Sequence, residues 1–410
     1  MEIFLFDLDG VLLNSAGYHR SLVETVRQLS LTLGFGDRGL TQEEIDAFEA
    51  RDITAEWDSS AVCAALLLLT AWEDGDDVSL PVRPPLGPPR PTRHAFPDIR
   101  GFLAELDNRG PSDPLIEAEA RLVRRIDSRR PDHAAAVRSL LANARSLGDS
   151  LTFRLVQLFN LGGRRFEELY GEAAGLDSPS FLEEYDRPTL TEDERASLLR
   201  QLGQSGRTAA IVTNRPSSSP LRLRSRRPGA PKRVHRPGVL SGGQAGGVFN
   251  TPEAEIGVHA AGFDGLPRIA SGDLGWQAEA LGLDVQAFLK PSPVHVLAGL
   301  RTAAGDEGLQ AVQKAIRLAQ GGGGMDPTWS AFDGARLVLF EDAPKGHMSA
   351  RRAAEILRLN GVSVDLAPYG ISTSPEKIEA LAGVGARVFP HVGFALDEAL
   401  PGWRGSTPRA

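Results

Sequence analysis

Cysteine is almost absent from this chain. Cys63 is the only one in 410 residues, which excludes an internal disulfide and a cysteine-built zinc site and suits a reducing compartment, so the expected localisation is cytoplasmic. The eight histidines show no paired metal spacing. Long hydrophobic runs are missing too. The longest, Ala61 to Trp72 (AVCAALLLLTAW), falls short of the roughly 20 residues a spanning helix needs and reads as a core helix, so no membrane partner is expected. Net positive charge is lacking: at −8 the molecule has no overall electrostatic case for nucleic acid or an anionic membrane, and any anion must bind at a local site. The opening MEIFLFDLDGVLL carries three acids within ten residues and no basic leader. It reads as a buried strand rather than a secretory signal.

The length sets a prior of two or three domains. With 41% hydrophobic and 24% charged residues, the balance is that of an ordinary globular protein. Glu2 to Phe6 is a short apolar run ending at Asp7, the pattern of a strand buried on both faces of a parallel sheet. From Ser15 to about Tyr185 apolar residues recur at helical spacing, as in Leu22, Val26 and Leu29 or Leu115, Leu122 and Ile126. Seven prolines between Leu80 and Pro97 predict an extended or mobile loop within that helical block. Thr191 with Glu194 three residues later predicts a capped helix running to about Leu202. Beyond it, Thr208 to Thr213 and Leu337 to Phe340 are buried-strand candidates, with weaker ones at Arg268 to Ser271, Val362 to Leu366 and Ala386 to Phe389. Helical patterns at Glu253 to Ala261, Pro293 to Arg301, Lys345 to Leu359 and Pro375 to Ala382 separate several of them. This alternation predicts a doubly wound parallel α/β sheet, whose ligands bind beyond the carboxyl ends of the strands. Asp7, Thr213 and Glu341 all fall at such ends.

The sharpest local signal is FDLDGV, Phe6 to Val11, with two carboxylates two residues apart before a glycine. Alone it fits a solvated strand-to-loop turn equally well. A calcium loop is excluded, because the closing Glu would fall near Ala16 to Tyr18 and none stands there. Three distant segments follow in order: TNR at Thr213 to Arg215, LKPSP at Leu289 to Pro293, and VLFEDAPKG at Val338 to Gly346. Together the four resemble the haloacid dehalogenase (HAD) superfamily, in particular its phosphatase and phosphomutase branches with a helical cap inserted after the first strand.

That resemblance implies a Rossmann-like catalytic core from residues 1–14 and 186–410, and a mainly α-helical cap from 15–185 that covers the site and supplies most substrate contacts. It implies that Asp7 attacks phosphorus and that Asp9 is the general acid and base. Thr213, with Asn214 beside it, and Lys290 would bind the phosphoryl group. Mg²⁺ would be held by the Asp7 carboxylate, the Asp9 backbone carbonyl and the acidic pair Glu341 and Asp342. The implied activity is Mg²⁺-dependent hydrolysis of a small phosphorylated metabolite through an aspartyl-phosphate. A phosphomutase of the same superfamily and a catalytically silent binding or regulatory module are the alternatives. The acid at Asp9 disfavours dehalogenation, and membrane pumps that share the nucleophile motif need spanning helices.

The chemistry agrees with this division of roles. A carboxylate and a phosphate dianion about 4 Å apart repel by about 4 kcal/mol per charge pair at an effective dielectric near 20, so a hard cation with oxygen ligands is needed between them, and carboxylates without a His or Cys cluster favour magnesium over zinc. Asp9 is expected to have a pKa shifted toward neutrality by the acids crowded around it. The basic segment at Leu221 to Gly238 holds seven Arg or Lys residues and no acid. It reads as a solvated loop in preference to a polyanion site, since no aromatic residue is interleaved to stack a base. Nothing in the sequence sets an oligomeric state.

Overall fold

A computed structural model of the chain describes residues 1–51, 53–83, 86–106, 114–218, 250–321 and 326–404. The basic stretch at 221–238 and most of the Gly321–Gly324 run lie outside the described residues. The strands in chain order are β1 (Glu2–Phe6), β2 (Leu13–Asn14), β3 (Arg187–Pro188), β4 (Arg207–Val212), β5 (Arg268–Ile269), β6 (Ala335–Glu341), β7 (Val364–Ile371) and β8 (Arg387–Phe389). Six of them form one parallel sheet in the order β5-β4-β1-β6-β7-β8, while β2 and β3 pair antiparallel.

By contacts the described chain divides into two units, one formed by Met1–Ser15 and the residues from Asp186 onward, the other by Ala16–Tyr185. The second unit is built from helices α1 (Ala16–Leu33), α2 (Gln42–Glu49), α3 (Glu56–Glu73), α4 (Ile99–Ala104), α5 (Pro114–Arg125), α6 (Pro131–Ala142), α7 (Leu151–Leu161), α8 (Gly163–Tyr170) and α9 (Phe181–Tyr185). The apolar run around Cys63 is the middle of α3, buried on nearly every side within this unit. Burial all round explains why it has no amphipathic period. The proline-rich stretch forms no regular element among its described residues. It is nonetheless tied down, since Arg90 and Arg93 donate backbone N–H bonds to the Leu31 and Gly34 carbonyls at 2.9 and 2.8 Å. Among the described residues no helix is long and apolar enough to cross a membrane.

The first unit continues with α10 (Glu192–Leu202), α11 (Glu253–Ala261), α12 (Ser271–Leu281), α13 (Pro293–Ala303), α14 (Gly308–Ala319), α15 (Pro344–Leu359), α16 (Pro375–Gly383) and α17 (Val392–Ala399). The Thr191 signal is a full capping box, the Glu194 N–H bonding the Thr191 hydroxyl and the Glu194 carboxylate taking the Thr191 N–H. Alternating residues of the central strands face two helical layers, as the period of a strand requires. Phe4, Phe6, Ala209, Ile211, Val338, Phe340 and Tyr369 pack with α10, α11 and α17. On the other face α13 lies against β1, β4 and β5, and α15 against β6 and β7. The sheet is therefore a doubly wound parallel α/β sheet.

Register decides what reaches the rim. Phe6 is level with Ile211 on β4 and with Phe340 on β6, and the Phe6 and Phe340 rings stack at 4.8 Å. One residue on, Asp7 stands beside Glu341, and its N–H bonds the Phe340 carbonyl at 2.9 Å. Between β1 and β6 the strand order reverses, the point where such sheets form their crevice.

Close packing under the sheet gives a direct test. A Cβ at Gly299 of α13 would stand 2.5 Å from Val212 Cγ2 and 3.5 Å from Leu5 Cδ1. Gly299→Val should destabilise the first unit by about 1–3 kcal/mol through overpacking, measured as a lower urea midpoint. An unchanged midpoint would mean that α13 does not lie on the sheet this closely.

Candidate active site

The rim residues come from strand ends and from the first turns that follow. Asp7 follows β1, Glu341 ends β6 and Asp342 comes next, while Lys290 precedes α13. Lys290 Nζ donates to Asp7 Oδ1 and to Glu341 Oε2, each at 2.7 Å. All three side chains are buried. The Asp342 carboxylate joins them, so that one oxygen each of Asp7, Glu341 and Asp342 lies within 4.8 Å of the others. Glycines make this approach possible. Gly10 has φ +71°, and a Cβ there would lie 2.6 Å from Asp342 Oδ2; a Cβ on Gly346 would collide with the Glu341 carboxylate.

Asp9 belongs to a second cluster. Arg215 Nε donates to both Asp9 oxygens at 2.9 and 3.0 Å, and Nη2 donates to Asp9 Oδ1 at 2.6 Å and Asp186 Oδ2 at 2.8 Å. The Ser15 hydroxyl also bonds Asp9 Oδ1. Thr213 is fully buried; its N–H bonds the Ile269 carbonyl at 3.0 Å and its hydroxyl oxygen accepts the Arg215 N–H at 3.1 Å. Asn214 is exposed on the same loop. Of the residues singled out in the sequence, the fold thus brings Asp7, Lys290, Glu341 and Asp342 into one group. Asp9 pairs with Arg215, and the two carriers of the Thr-Asn motif stand apart from the carboxylates in their bonding. Arg215, Asp186 and Ser15 were not assigned from sequence, nor was Lys377, which donates to Asp342 Oδ2 at 3.3 Å. Only Arg215 carried a usable signal, an arginine inside a motif at a strand end.

The electrostatics separate the two aspartates. Burial, followed by the Glu341 charge, pushes Asp7 well above the usual carboxylate range against the pull of Lys290. Burial also raises Glu341, with Lys290 opposing, and Asp342, with Lys377 opposing. Lys290 itself is raised by its two carboxylate partners despite burial, and stays cationic. Asp9 moves the other way: burial would raise it, but the charge and hydrogen bonds of Arg215 and the Ser15 hydroxyl prevail and hold it low. The expected shift of Asp9 toward neutrality is therefore wrong, because the nearest charge is a guanidinium and not another acid. His295 and His347, buried in α13 and α15, are pushed down by burial to about 3 and about 4 and remain neutral.

The two clusters gather five carboxylates, Asp7, Asp9, Asp186, Glu341 and Asp342, around three cationic side chains, Lys290, Arg215 and Lys377. The donor set at Asp7, Glu341 and Asp342 is all carboxylate oxygen, and opposed ligands on one hard cation at about 2.1–2.6 Å stand about 4.2–5.2 Å apart. The residue types fit a hard divalent cation.

No protein-family model matches the chain, and no curated protein matches it. Among solved structures, one determined as a Northeast Structural Genomics Consortium target superposes with a TM-score of 0.59 at 14% identity, covering 98% of this chain and 100% of that one. This likeness shows a shared fold. A phosphatase from Thermococcus thioreducens gives a TM-score of 0.41 at 14% identity over 89% of this chain and 91% of its own. A hydrolase from Pseudomonas syringae gives 0.30 at 13% identity over 97% and 98%.

Raised carboxylates favour the fold in their protonated form. For Asp7, Glu341 and Asp342 that contribution is full below about pH 4 and is lost as pH rises through their raised values, whereas the Asp9 contribution is full above about pH 4 and is lost as pH falls through its depressed value. Replacing Asp342 by Asn removes one repelling charge. In chelator at neutral pH, Asp342→Asn should stabilise the protein by about 0.5–2 kcal/mol, seen as a higher melting temperature. A lower one would show that Asp342 is already fully compensated by Lys377.

Proposed function

We propose that the chain is a Mg²⁺-dependent phosphomonoester hydrolase that works through an aspartyl-phosphate on Asp7, acting on a small phosphorylated metabolite. The observation that carries the reading is Lys290 bridging Asp7 and Glu341 at 2.7 Å, with Asp342 in the same oxygen cluster, at the carboxyl rim where the strand order reverses. The ordered motifs that resemble the HAD superfamily support it independently.

In this reading Asp7, Asp342 and the Asp9 carbonyl would hold the cation, and Glu341 holds Lys290. When bound, Mg²⁺ supplies positive charge that lets an anionic nucleophile and an anionic phosphoryl group approach. Asp7 attacks phosphorus, the ester oxygen departs with a proton from solvent or from an Asp9 that has taken one up, and water then cleaves the acyl-phosphate as Asp9 accepts its proton, regenerating Asp7 and releasing phosphate. Lys290 donates to the phosphoryl oxygens as charge shifts in the transition state, and the Thr213 hydroxyl is free in direction to do the same, since its oxygen already accepts the Arg215 N–H. Asp9, kept ionised by Arg215, enters the reaction first as a proton acceptor. It gives a proton to a leaving oxygen only after taking one up against that pairing.

Purified protein incubated with a panel of phosphorylated metabolites should release phosphate only when Mg²⁺ is present, and Asp7→Asn should lose that release. Equal release by parent and variant would exclude the covalent route. Lys290→Met should lower kcat by about 10²–10³-fold, corresponding to roughly 3 kcal/mol of lost transition-state stabilisation. A change confined to KM would make Lys290 a ground-state contact only.

A further inference from the structure

We propose that Arg215 is a positioning residue whose guanidinium aims the Asp9 carboxylate at the reacting group, with Asp186 as the counter-charge that holds the guanidinium in place. The proposal rests on the reading that Asp9 works beside Asp7. Arg215 is fixed along its whole length. Its N–H bonds the Thr213 hydroxyl at 3.1 Å, its carbonyl accepts the Ser271 N–H at 3.1 Å, and its side chain is 1% exposed. The fold also clears space for it: a Cβ on Gly257 of α11 would stand 2.6 Å from Arg215 Nη1 and 2.9 Å from Leu8 Cδ2.

The two acids that share Arg215 need it for different reasons. The Asp186 side chain is fully buried, and a buried carboxylate without a partner is strongly destabilising, so Asp186 and Arg215 require each other for the fold. The Asp9 side chain is 33% exposed. A carboxylate with this access to water depends on its counter-ion less than the fully enclosed Asp186 does. Yet Asp9 takes three of the four hydrogen bonds that Arg215 gives to these acids, through a planar fork that engages both of its oxygens. Such a fork fixes direction as well as charge. The Ser15 hydroxyl adds a bond to the same carboxylate. Three bonds to the acid that depends on them less for stability point to orientation as their purpose.

The two roles separate in a double variant. Arg215→Met alone should melt below the parent, because it takes the guanidinium away from the buried Asp186 carboxylate. Arg215→Met combined with Asp186→Asn removes both charges of the buried Arg215–Asp186 pair and should regain the parental melting temperature. With p-nitrophenyl phosphate and Mg²⁺, that double variant should still show kcat reduced about 10–100-fold and KM within about twofold, the pattern of a misplaced group rather than a lost binding contact. Its crystal structure should show the Asp9 carboxylate turned away from its parental direction. Parental kcat in a double variant that has regained its melting temperature would overturn the proposal and leave Arg215 as a counter-charge for Asp186 alone. Where the double variant stays unstable, Arg215→Lys decides: it keeps the charge and loses the fork, so a retained melting temperature with reduced kcat supports positioning and a parental kcat overturns it. Should the parent lack Asp7-dependent turnover, the phosphatase reading falls, and the orientation of Asp9 in the variant crystals still tests Arg215, an unmoved carboxylate being the negative result.

Discussion

Like charges held at one rim of a sheet are the constraint on which this structure turns. The register of two neighbouring strands delivers Asp7 and Glu341 to the same level, and the next residue along from Glu341 adds a third carboxylate. Such a group persists in a buried place only if cations come with it. Lys290 is shared by Asp7 and Glu341, Arg215 by Asp9 and Asp186, and Lys377 leans on Asp342. Space is as limiting as charge. Gly10, Gly257 and Gly346 each lack the Cβ that would otherwise strike Asp342, Arg215 or Glu341. At Gly10 the positive φ adds a second reason why no larger residue fits comfortably.

Much of the scaffold was legible because its signals are local. Buried parallel strands read as short apolar runs, so Glu2 to Phe6 and the neighbourhood of Leu337 to Phe340 stood out, and the helix at Glu253 to Ala261 occurs with the bounds its pattern predicts. Strand edges were the less certain part. β7 runs from Val364 to Ile371, five residues past the Leu366 at which its apolar pattern stops, through a proline-bearing segment that the pattern does not extend into. The site was legible as a set of motifs in order, and its four central members do meet.

What sequence could not supply is the partner of each acid. Counting acids near Asp9 predicts an upward pKa shift. The actual neighbour is a guanidinium 206 residues away in sequence, and it reverses the sign. Ser15 and Asp186 were invisible for the same reason, since each is an ordinary polar residue until the fold sets it beside Asp9 or Arg215. Lys377 enters from the turn after β7, from a helix start whose cap, Ser374, announces a helix and nothing about the acid above it.

Two aspartates separated by one leucine therefore come to opposite electrostatic states without any difference in their own chemistry. Asp7 is enclosed and faces another carboxylate, which favours its neutral form against the pull of the one lysine it shares. Asp9 looks toward solvent and is gripped by a fork of three hydrogen bonds, which favours its charged form. Environments that push paired titratable groups apart are how one site obtains two functions from one residue type. The divergence here follows from the cation beside each acid, Lys290 between Asp7 and Glu341 and Arg215 between Asp9 and Asp186. If Arg215 were neutral, Asp9 would have only burial and the Ser15 hydroxyl acting on it, and the distinction between the two acids would shrink to a difference in exposure.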